Sequence, residues 1–264
     1  MPSDQADRRT ALVTGASSGI GRDLAILLAE NGFNLVLAAR NRPALQQLAI
    51  QCSSKYSAPA RVMCEDLADP AAPGRIFGQL ERDGPPIDVL VNNAGFGEVG
   101  PYASSDLPRQ LAIVQVNVSA PMALTRLLLP AMIQRGWGRI LNVASTAAFV
   151  PGPYLSTYYA SKAFLVSHSL ALAHELRHTG VKVTVICPGP TRTDFQRRAG
   201  MERAGLFRFG PMSSMKVARA GLRGLLKGRR MVVPGLLNKL GVFGSRFGPR
   251  WLAATITGKL NRVE

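Results

Sequence analysis

The sequence predicts an α/β fold, namely a single domain with a doubly wound parallel sheet and helices on both faces. Short apolar runs alternate strictly with longer segments of helical periodicity. Such alternation requires crossover connections and therefore parallel strands. A glycine-rich loop, "TGASSGIG", lies between the first strand and the first helix. Because no internal repeat or low-complexity linker interrupts this order, we assign residues 1–264 to one domain.

The predicted elements follow one another regularly. The first strand spans 10–14, and the helix after it stops at Gly32. The next run, 33–39, is apolar throughout, as expected for a strand buried on both faces. A helix over about 108–134 contains Pro121, which we expect to kink it. Further strands are predicted at 60–64, 87–92, 138–144, 181–187 and 230–234, and further helices at about 42–54, 70–82, 157–178 and 213–227.

Composition favours a folded cytoplasmic protein. Hydrophobic residues make up 47% and charged residues 18% of the chain. The three scattered cysteines, Cys52, Cys64 and Cys187, are expected to be reduced packing residues. Arg8-Arg9 loosely matches a twin-arginine export signal, but Gly15 interrupts the apolar run that follows, so we expect no signal peptide. No uncharged apolar run approaches the ~18 residues of a membrane span.

The basic charge is concentrated at the C-terminal end. The net charge is +16, and from Arg192 onward 16 basic residues face three acids, which accounts for +13. Nucleic-acid binding is one explanation for such charge. The region lacks regularly interleaved aromatic residues for base stacking, so we expect no nucleic-acid partner.

The glycine loop has the features of a dinucleotide site. Its spacing is G-x-x-x-G-x-G, and it precedes a helix whose first N–H groups could bind a pyrophosphate. The alternative is a simple turn. An NAD site usually has an acid at the end of the second strand, where this chain has Ala39 followed by Arg40. A guanidinium suits a 2′-phosphate, which predicts NADP(H), although a solvated strand-end arginine is the alternative.

With "NNAG" (92–95), Asn117, Ser145 and the Tyr158/Lys162 pair, the chain resembles the short-chain dehydrogenase/reductase family, whose fold is Rossmann-type. The resemblance covers about 10–193. It implies an oxidoreductase that interconverts a carbonyl and a secondary alcohol, and it implies pairing into a homodimer or homotetramer. Together with Arg40, this predicts an NADP(H)-dependent enzyme. The implied catalytic residues are Asn117, Ser145, Tyr158 and Lys162. The implied cofactor-binding residues are Gly15, Ser17, Ser18, Gly19, Ile20, Gly21, Arg40, Asp66, Leu67, Asn93, Ala94, Gly95, Tyr158, Lys162, Pro188, Gly189, Thr191 and Thr193.

Two adjacent tyrosines compete for the catalytic position in "STYYASKAF" (156–164). The family pattern Tyr-x-x-x-Lys selects Tyr158, with Lys162 one helical turn away. We expect the ammonium to lower the pKa of the phenol from its usual ~10. By the resemblance, Ser145 would hold the substrate oxygen and Asn117 would order a water next to Lys162. Tyr159 is expected at the pocket wall or at a subunit contact.

A second motif, "HELRH" (174–178), matches the zinc pattern H-E-x-x-H. A catalytic zinc needs a third ligand, and the sequence offers no further histidine downstream. We therefore interpret His174, Glu175 and His178 as solvated groups at a helix end and expect no metal site. A dinucleotide-sensing protein with little turnover is another alternative, although the complete catalytic set argues against it.

Two C-terminal regions bear on the substrate. Residues 195–212, predicted as a substrate lid, are rich in Phe, Leu, Met and Arg, which favours an apolar acyl, steroid-like or lipid-derived substrate. Residues 236–264 form a basic extension. Two apolar stripes recur there at helical spacing, at Leu236, Leu240, Phe243 and Phe247 and at Leu252, Ile256, Leu260 and Val263. The stripes could cover the protein's own core or a neighbouring subunit, or they could rest on an anionic membrane.

Overall fold

The computed structural model describes residues 8–200 and 210–262. The strands there are β1 (Thr10–Thr14), β2 (Asn34–Ala39), β3 (Ala60–Cys64), β4 (Ile87–Asn92), β5 (Gly138–Val143), β6 (Val181–Ile186), β7 (Thr191–Arg192), β8 (Met212–Ser213) and β9 (Met231–Val232). The helices are α1 (Gly19–Glu30), α2 (Arg42–Tyr56), α3 (Ala72–Asp83), α4 (Leu107–Val114), α5 (Ala120–Gln134), α6 (Ser156–Glu175), α7 (Phe195–Arg198), α8 (Ser214–Leu226), α9 (Leu236–Gly244) and α10 (Arg250–Asn261).

Seven strands form one parallel sheet in the order β3-β2-β1-β4-β5-β6-β9. The chain builds outward from β1 in one direction and then crosses back to build from β4 in the other. This reversal confirms the predicted doubly wound fold. It also opens a crevice at the carboxyl ends of β1 and β4, where ligands bind in sheets of this type.

Both faces of the sheet are buried, as the continuous apolar runs predict. Along β1, Ala11 and Val13 pack with α1, α2 and α8, whereas Leu12 packs with α3 and α5 on the opposite face. The outermost strand differs from its prediction, because β9 is limited to Met231–Val232. Only Val185 and Ile186 of β6 pair with it.

The long helix predicted around Pro121 runs continuously from Leu107 to Gln134. Its irregularity is a π-helical turn over Gln115–Ser119, just before Pro121, rather than a kink at the proline itself. Proline has no N–H to donate, and the wider turn shifts the backbone bonding at that point. By length and hydropathy alone this helix could cross a membrane, yet α5 packs against α3, β4 and β5 as a core helix does.

Candidate active site

A cavity of about 890 Å³ lies at the carboxyl end of the sheet and contains the predicted site. It is lined by every predicted cofactor-binding and catalytic residue except Gly21 and Asn117. The polar residues enter it from loops that follow β1, β2, β3, β4, β5 and β6, because parallel strands end at the same edge. One crevice therefore brings together residues more than 170 positions apart in sequence.

The glycine loop after β1 is shaped for close backbone approach. Gly15 has φ +64°, which disfavours any residue with a Cβ. A Cβ at Gly21 would overlap the Asn93 carboxamide and the Gly15 carbonyl, so α1 can lie this close to the loops after β1 and β4 only with glycine there. Helix α1 begins at Gly19 and presents its first N–H groups to the cavity. This cradle fits the pyrophosphate of a dinucleotide.

Thr14, which the sequence analysis did not single out, fastens this loop to the next strand. Its hydroxyl accepts hydrogen bonds from the backbone N–H groups of Asn93 (3.0 Å) and Ala94 (3.1 Å). The Asn93 side chain donates to the carbonyls of Thr14 (2.9 Å) and Gly15 (3.2 Å). These bonds fix the segment 93–95 beside the glycine loop. In the sequence, the signal for this role is a threonine at the end of a buried strand, directly before a glycine.

Arg40 and Asp66 lie side by side at the rim. Ala39 of β2 pairs with Cys64 of β3, so the residues after both strands emerge together. Arg40 Nη1 is 3.7 Å from Asp66 Oδ2, and both side chains are largely exposed. The Arg40 guanidinium is therefore available to an incoming anion, since an exposed ion pair is weak.

The catalytic candidates Ser145, Tyr158 and Lys162 converge on the cavity. Ser145 follows β5, and its side chain is hydrogen-bonded to that of Tyr158. Lys162, one turn further along α6, lies with Nζ 5.7 Å from the centroid of the Tyr158 ring. The same Nζ donates to the Val143 carbonyl at 2.9 Å. A serine oxygen, a phenol and an amine thus occupy one wall of the cavity.

The acid–base properties of Tyr158 and Lys162 differ from the expectation in one respect, the direction in which the pKa of Tyr158 is shifted. Burial raises the pKa of Tyr158, and this outweighs the opposing hydrogen bond from Ser145. The expected lowering of the Tyr158 pKa by Lys162 is therefore wrong. Burial lowers the pKa of Lys162 itself to about 8, despite the nearby Cys187. The ammonium is desolvated and is directed at a backbone carbonyl, so it influences the phenol less than spacing on a helix suggests.

Asn117 lies in the π-helical turn, buried and outside the cavity lining. Its Oδ1 accepts from the Phe96 N–H (3.1 Å), and its Nδ2 donates to the Phe96 carbonyl (3.0 Å) and to Ser161 Oγ (2.9 Å). Ser161 in turn donates to the Tyr158 carbonyl at 2.6 Å. Asn117 therefore ties the loop after β4 to the turn of α6 that carries Tyr158.

The loop after β6 forms the opposite wall with help from the C-terminal extension. Thr193 lies against Gly19, and Thr191 Oγ1 donates to the Gly189 carbonyl at 2.9 Å. A Cβ at Gly189 would overlap the side chain of Asn238 in α9. Four further residues of α9 and the turn after it line the cavity together with Asn238, as does Thr257 of α10, and sequence patterns did not reveal this. The four residues are Leu237, Gly241, Val242 and Ser245.

Tyr159 belongs to the cavity wall, as expected, and also holds the last helix. Its side chain is mostly buried, and its hydroxyl donates to Asn261 Oδ1 of α10 at 3.2 Å. Tyr158 and Tyr159 point to different partners because they are about 100° apart around α6. Only Tyr158 is next to Lys162 and Ser145.

The remaining sequence motifs lie away from this cavity. Helix α6 ends at Glu175, so His178 lies beyond the helix and cannot present the i, i+4 face that H-E-x-x-H requires. His174, Glu175 and His178 are exposed. In the predicted lid, residues 201–209 lie outside the described part of the chain, whereas Phe195 lies 5.1 Å from Tyr158, measured between ring centroids.

Comparison with known proteins identifies the family of this chain. The family model for short chain dehydrogenases matches residues 9–204. A very-long-chain 3-oxoacyl-CoA reductase of Phaeosphaeria nodorum is 39% identical over 182 residues, which are 67% of this chain and 53% of that protein. The chain spans about half the length of several curated relatives it matches.

Two solved structures resemble the fold closely. A short-chain dehydrogenase from Sphingobium yanoikuyae in complex with NADPH has a TM-score of 0.82 and 30% identity, and the match covers 91% of this chain and 94% of that one. A short-chain dehydrogenase/reductase from Burkholderia phymatum in complex with NAD has a TM-score of 0.80 and 25% identity, with 90% and 92% covered. Fold, cavity and family model agree, and the chain belongs to the short-chain dehydrogenase family, whose members are oxidoreductases.

Proposed function

We propose that this protein is an NADP(H)-dependent reductase of a long-chain carbonyl compound, with a 3-oxoacyl thioester as the substrate class. The observation that carries the proposal is the single cavity that joins the dinucleotide cradle to an apolar compartment beside Tyr158. A polar half suits a nucleotide, and an apolar half suits an acyl chain.

The preference for NADP(H) rests on the rim beside β2. Ala39 offers no carboxylate to a ribose 2′-hydroxyl, whereas Arg40 lines the cavity and is exposed. A guanidinium binds a phosphate with charge-assisted, bidentate hydrogen bonds. The Sphingobium yanoikuyae structure contains NADPH, whereas the Burkholderia phymatum structure contains NAD. Because these neighbours differ, the proposed preference for NADP(H) depends on the rim residues of this chain.

The residues of this chain have separable roles in the reduction. When bound, the cofactor would supply the hydride that reduces the carbonyl carbon. Ser145 binds the carbonyl oxygen, and Tyr158 donates a proton to it. Because burial raises the pKa of Tyr158, the phenol is protonated at neutral pH, which is the form that a reduction needs. Lys162 restores the proton, and Asn117 positions α6 through Phe96 and Ser161.

The acyl compartment is lined by side chains from four regions of the chain. They are Phe149, Val150, Leu155, Phe195, Leu237 and Val242. Arg109 lines the cavity 3.7 Å from Glu98 and supplies a positive charge for an anionic substrate group. The Phaeosphaeria nodorum relative carries the name of a very-long-chain 3-oxoacyl-CoA reductase, which supports this substrate class.

A substrate series tests the proposal. NADPH consumption would be followed with 3-oxoacyl-CoA thioesters of increasing chain length, and with steroid ketones of similar size. We expect kcat/KM to rise with chain length, since each buried methylene contributes about 0.8 kcal/mol. Tyr158→Phe is the control for background oxidation. A specificity that favours short acyl chains, or steroid ketones over every thioester, would refute the acyl assignment.

We further propose that the protein is a homo-oligomer. Helix α4 exposes Leu107, Leu111 and Val114, and α5 exposes Met122 and Ile133. Adjacent exposed apolar side chains of this size are typical of an interface rather than of a solvated surface. A symmetric pair of these helices would bury them in a dimer or tetramer.

A further inference from the structure

The two C-terminal helices expose the residues that their sequence pattern predicts to be buried. In α9 the stripe at Leu236, Leu240 and Phe243 is 72%, 59% and 60% exposed, and Phe247 just beyond is 75% exposed. In α10, Trp251, Leu252 and Ile256 are 70%, 41% and 52% exposed. The interpretation that these stripes cover the protein's own core is therefore wrong for the described residues.

Small and polar side chains fill the inward faces instead. In α10, Asn261 is fully buried, with Nδ2 donating to the Pro153 carbonyl at 3.0 Å, and Thr257 donates to the Pro151 carbonyl at 2.6 Å. In α9, Val242 is buried and Asn238 donates to the Pro234 carbonyl at 2.7 Å. Both helices are thus attached to the domain by one face, and their apolar faces are free.

The charge around this apolar face has one sign. Lys239, Arg246, Arg250, Lys259 and Arg262 are exposed on or beside the two helices. No acidic residue occurs in the sequence between Arg203 and Arg262. Among the described residues, no ion pair involves any of these five side chains. An apolar face with aromatic side chains and a basic border complements an anionic lipid surface.

The same two helices form part of the cavity wall. Asn238 and Val242 of α9 and Thr257 of α10 line it from inside, and Leu237, which is 81% exposed, lies at its rim. The exposed face therefore lies on the outer side of a wall whose inner side borders the acyl compartment. A membrane under this face would lie next to the substrate cavity.

We propose that α9 and α10, with Phe247 between them, form a docking surface for an anionic lipid bilayer. This surface lets the protein bind peripherally at the membrane, with its substrate cavity beside the lipid. The inference goes beyond the proposed reaction. Because binding to lipid requires no turnover, its failure and a failure of the reductase assignment are separately measurable.

Co-sedimentation with vesicles tests the docking surface. The full chain would be incubated with phosphatidylcholine vesicles and with vesicles that also contain phosphatidylserine, at low and high salt. We expect binding to the phosphatidylserine vesicles at low salt, and weaker binding at high salt, because salt screens the basic border. Each basic residue near such a surface contributes on the order of a factor of five in affinity.

Matched variants separate the two components of the surface. Phe247→Ser should reduce binding several-fold, whereas Ile50→Ser, at a similarly exposed position on α2, should not. The pair Arg246→Glu and Arg250→Glu should reduce binding at least about tenfold. The same charge change through Lys55→Glu and Arg82→Glu should have a much smaller effect.

Three outcomes would overturn the proposal. The first is an intact protein that ignores phosphatidylserine vesicles at low salt. The second is equal binding to both kinds of vesicle. The third is a loss of oligomeric mass in Phe247→Ser without lipid present, together with no vesicle binding by the unmutated protein. That result would show that a second copy of the chain covers the face.

Discussion

The hydroxyl of Tyr159 donates a hydrogen bond to Asn261 Oδ1 over 3.2 Å and joins the active-site helix to the last helix of the chain. The two residues are 102 positions apart. Asn261 is fully buried, and its Nδ2 also donates to the Pro153 carbonyl. Together with Thr257, which donates to the Pro151 carbonyl, this side chain fixes α10 to the segment that precedes Tyr158.

Asn261→Ala should destabilise the fold by about 2 kcal/mol, because it leaves the buried Tyr159 hydroxyl and the Pro153 carbonyl without these partners. Denaturant unfolding would measure the loss. The double-mutant cycle with Tyr159→Phe should show coupling of about 1 kcal/mol, since both changes remove the same bond. Strictly additive effects would show that the bond contributes nothing.

Tyr158→Phe should lower turnover by a few orders of magnitude and leave NADPH binding intact, since it removes the transferred proton and little else. Tyr159→Phe is the matched control, because it removes a hydroxyl one residue away that contacts Asn261 rather than substrate. We expect it to retain most activity. Steady-state kinetics and NADPH fluorescence titration measure both properties. If Tyr159→Phe lost more activity than Tyr158→Phe, the assignment of Tyr158 as the catalytic tyrosine would be wrong.

NADPH should bind more tightly than NADH by about 1–3 kcal/mol, the scale of a charge-assisted contact. Arg40→Ala should remove most of this difference, because the guanidinium is the group proposed to meet the 2′-phosphate. Arg61→Ala is a suitable control, since Arg61 pairs with Asp83 at 3.0 Å and lies outside the cavity. Calorimetric titration of the unmutated protein and of both variants with NADPH and with NADH would measure these affinities. Equal affinities in the unmutated protein would refute the preference.

The fold was predictable from sequence to within a few residues at most element ends. Buried parallel strands are continuous apolar runs, and the runs at 10–14, 60–64 and 87–92 coincide with β1, β3 and β4. The β9 strand fell short of its run because only two residues of β6 pair with it. An edge strand has one neighbour, so its length is set by that neighbour and not by its own composition.

The sequence predicted which residues lie together around the cavity, but not the environment of each. The motif spacing placed Tyr158 and Lys162 together, yet it did not reveal that Lys162 is buried and Tyr158 half-buried. Burial sets their pKa values, and burial depends on elements far away in sequence. Periodicity likewise identified the apolar stripe around Phe243 but not its direction. The inward contacts depend on Asn238 and Asn261, which the stripe pattern ignores.

Leu111→Glu should reduce the mass of the protein in solution, because a charge at the centre of the exposed α4 face would be desolvated in a paired interface. Light scattering at working concentration measures this. The control is Ile50→Glu, a substitution of a similarly exposed apolar residue on α2. A monomeric mass for the unmutated protein would refute the oligomer proposal altogether.

The reductive kcat/KM should fall as the pH rises through about 8, because burial lowers the pKa of Lys162 to about 8 from its usual 10.5. A lowered pKa means that the ammonium loses its proton at a lower pH than a solvated lysine would. Above that pH the residue cannot restore the proton that Tyr158 gives to the substrate. Initial rates over a pH series, with NADPH saturating, would measure the fall. In Lys162→Arg the guanidinium keeps its proton, so the fall should move to higher pH, although overall activity will be lower. A plateau that persists to pH values near 10 would show that proton delivery does not depend on Lys162.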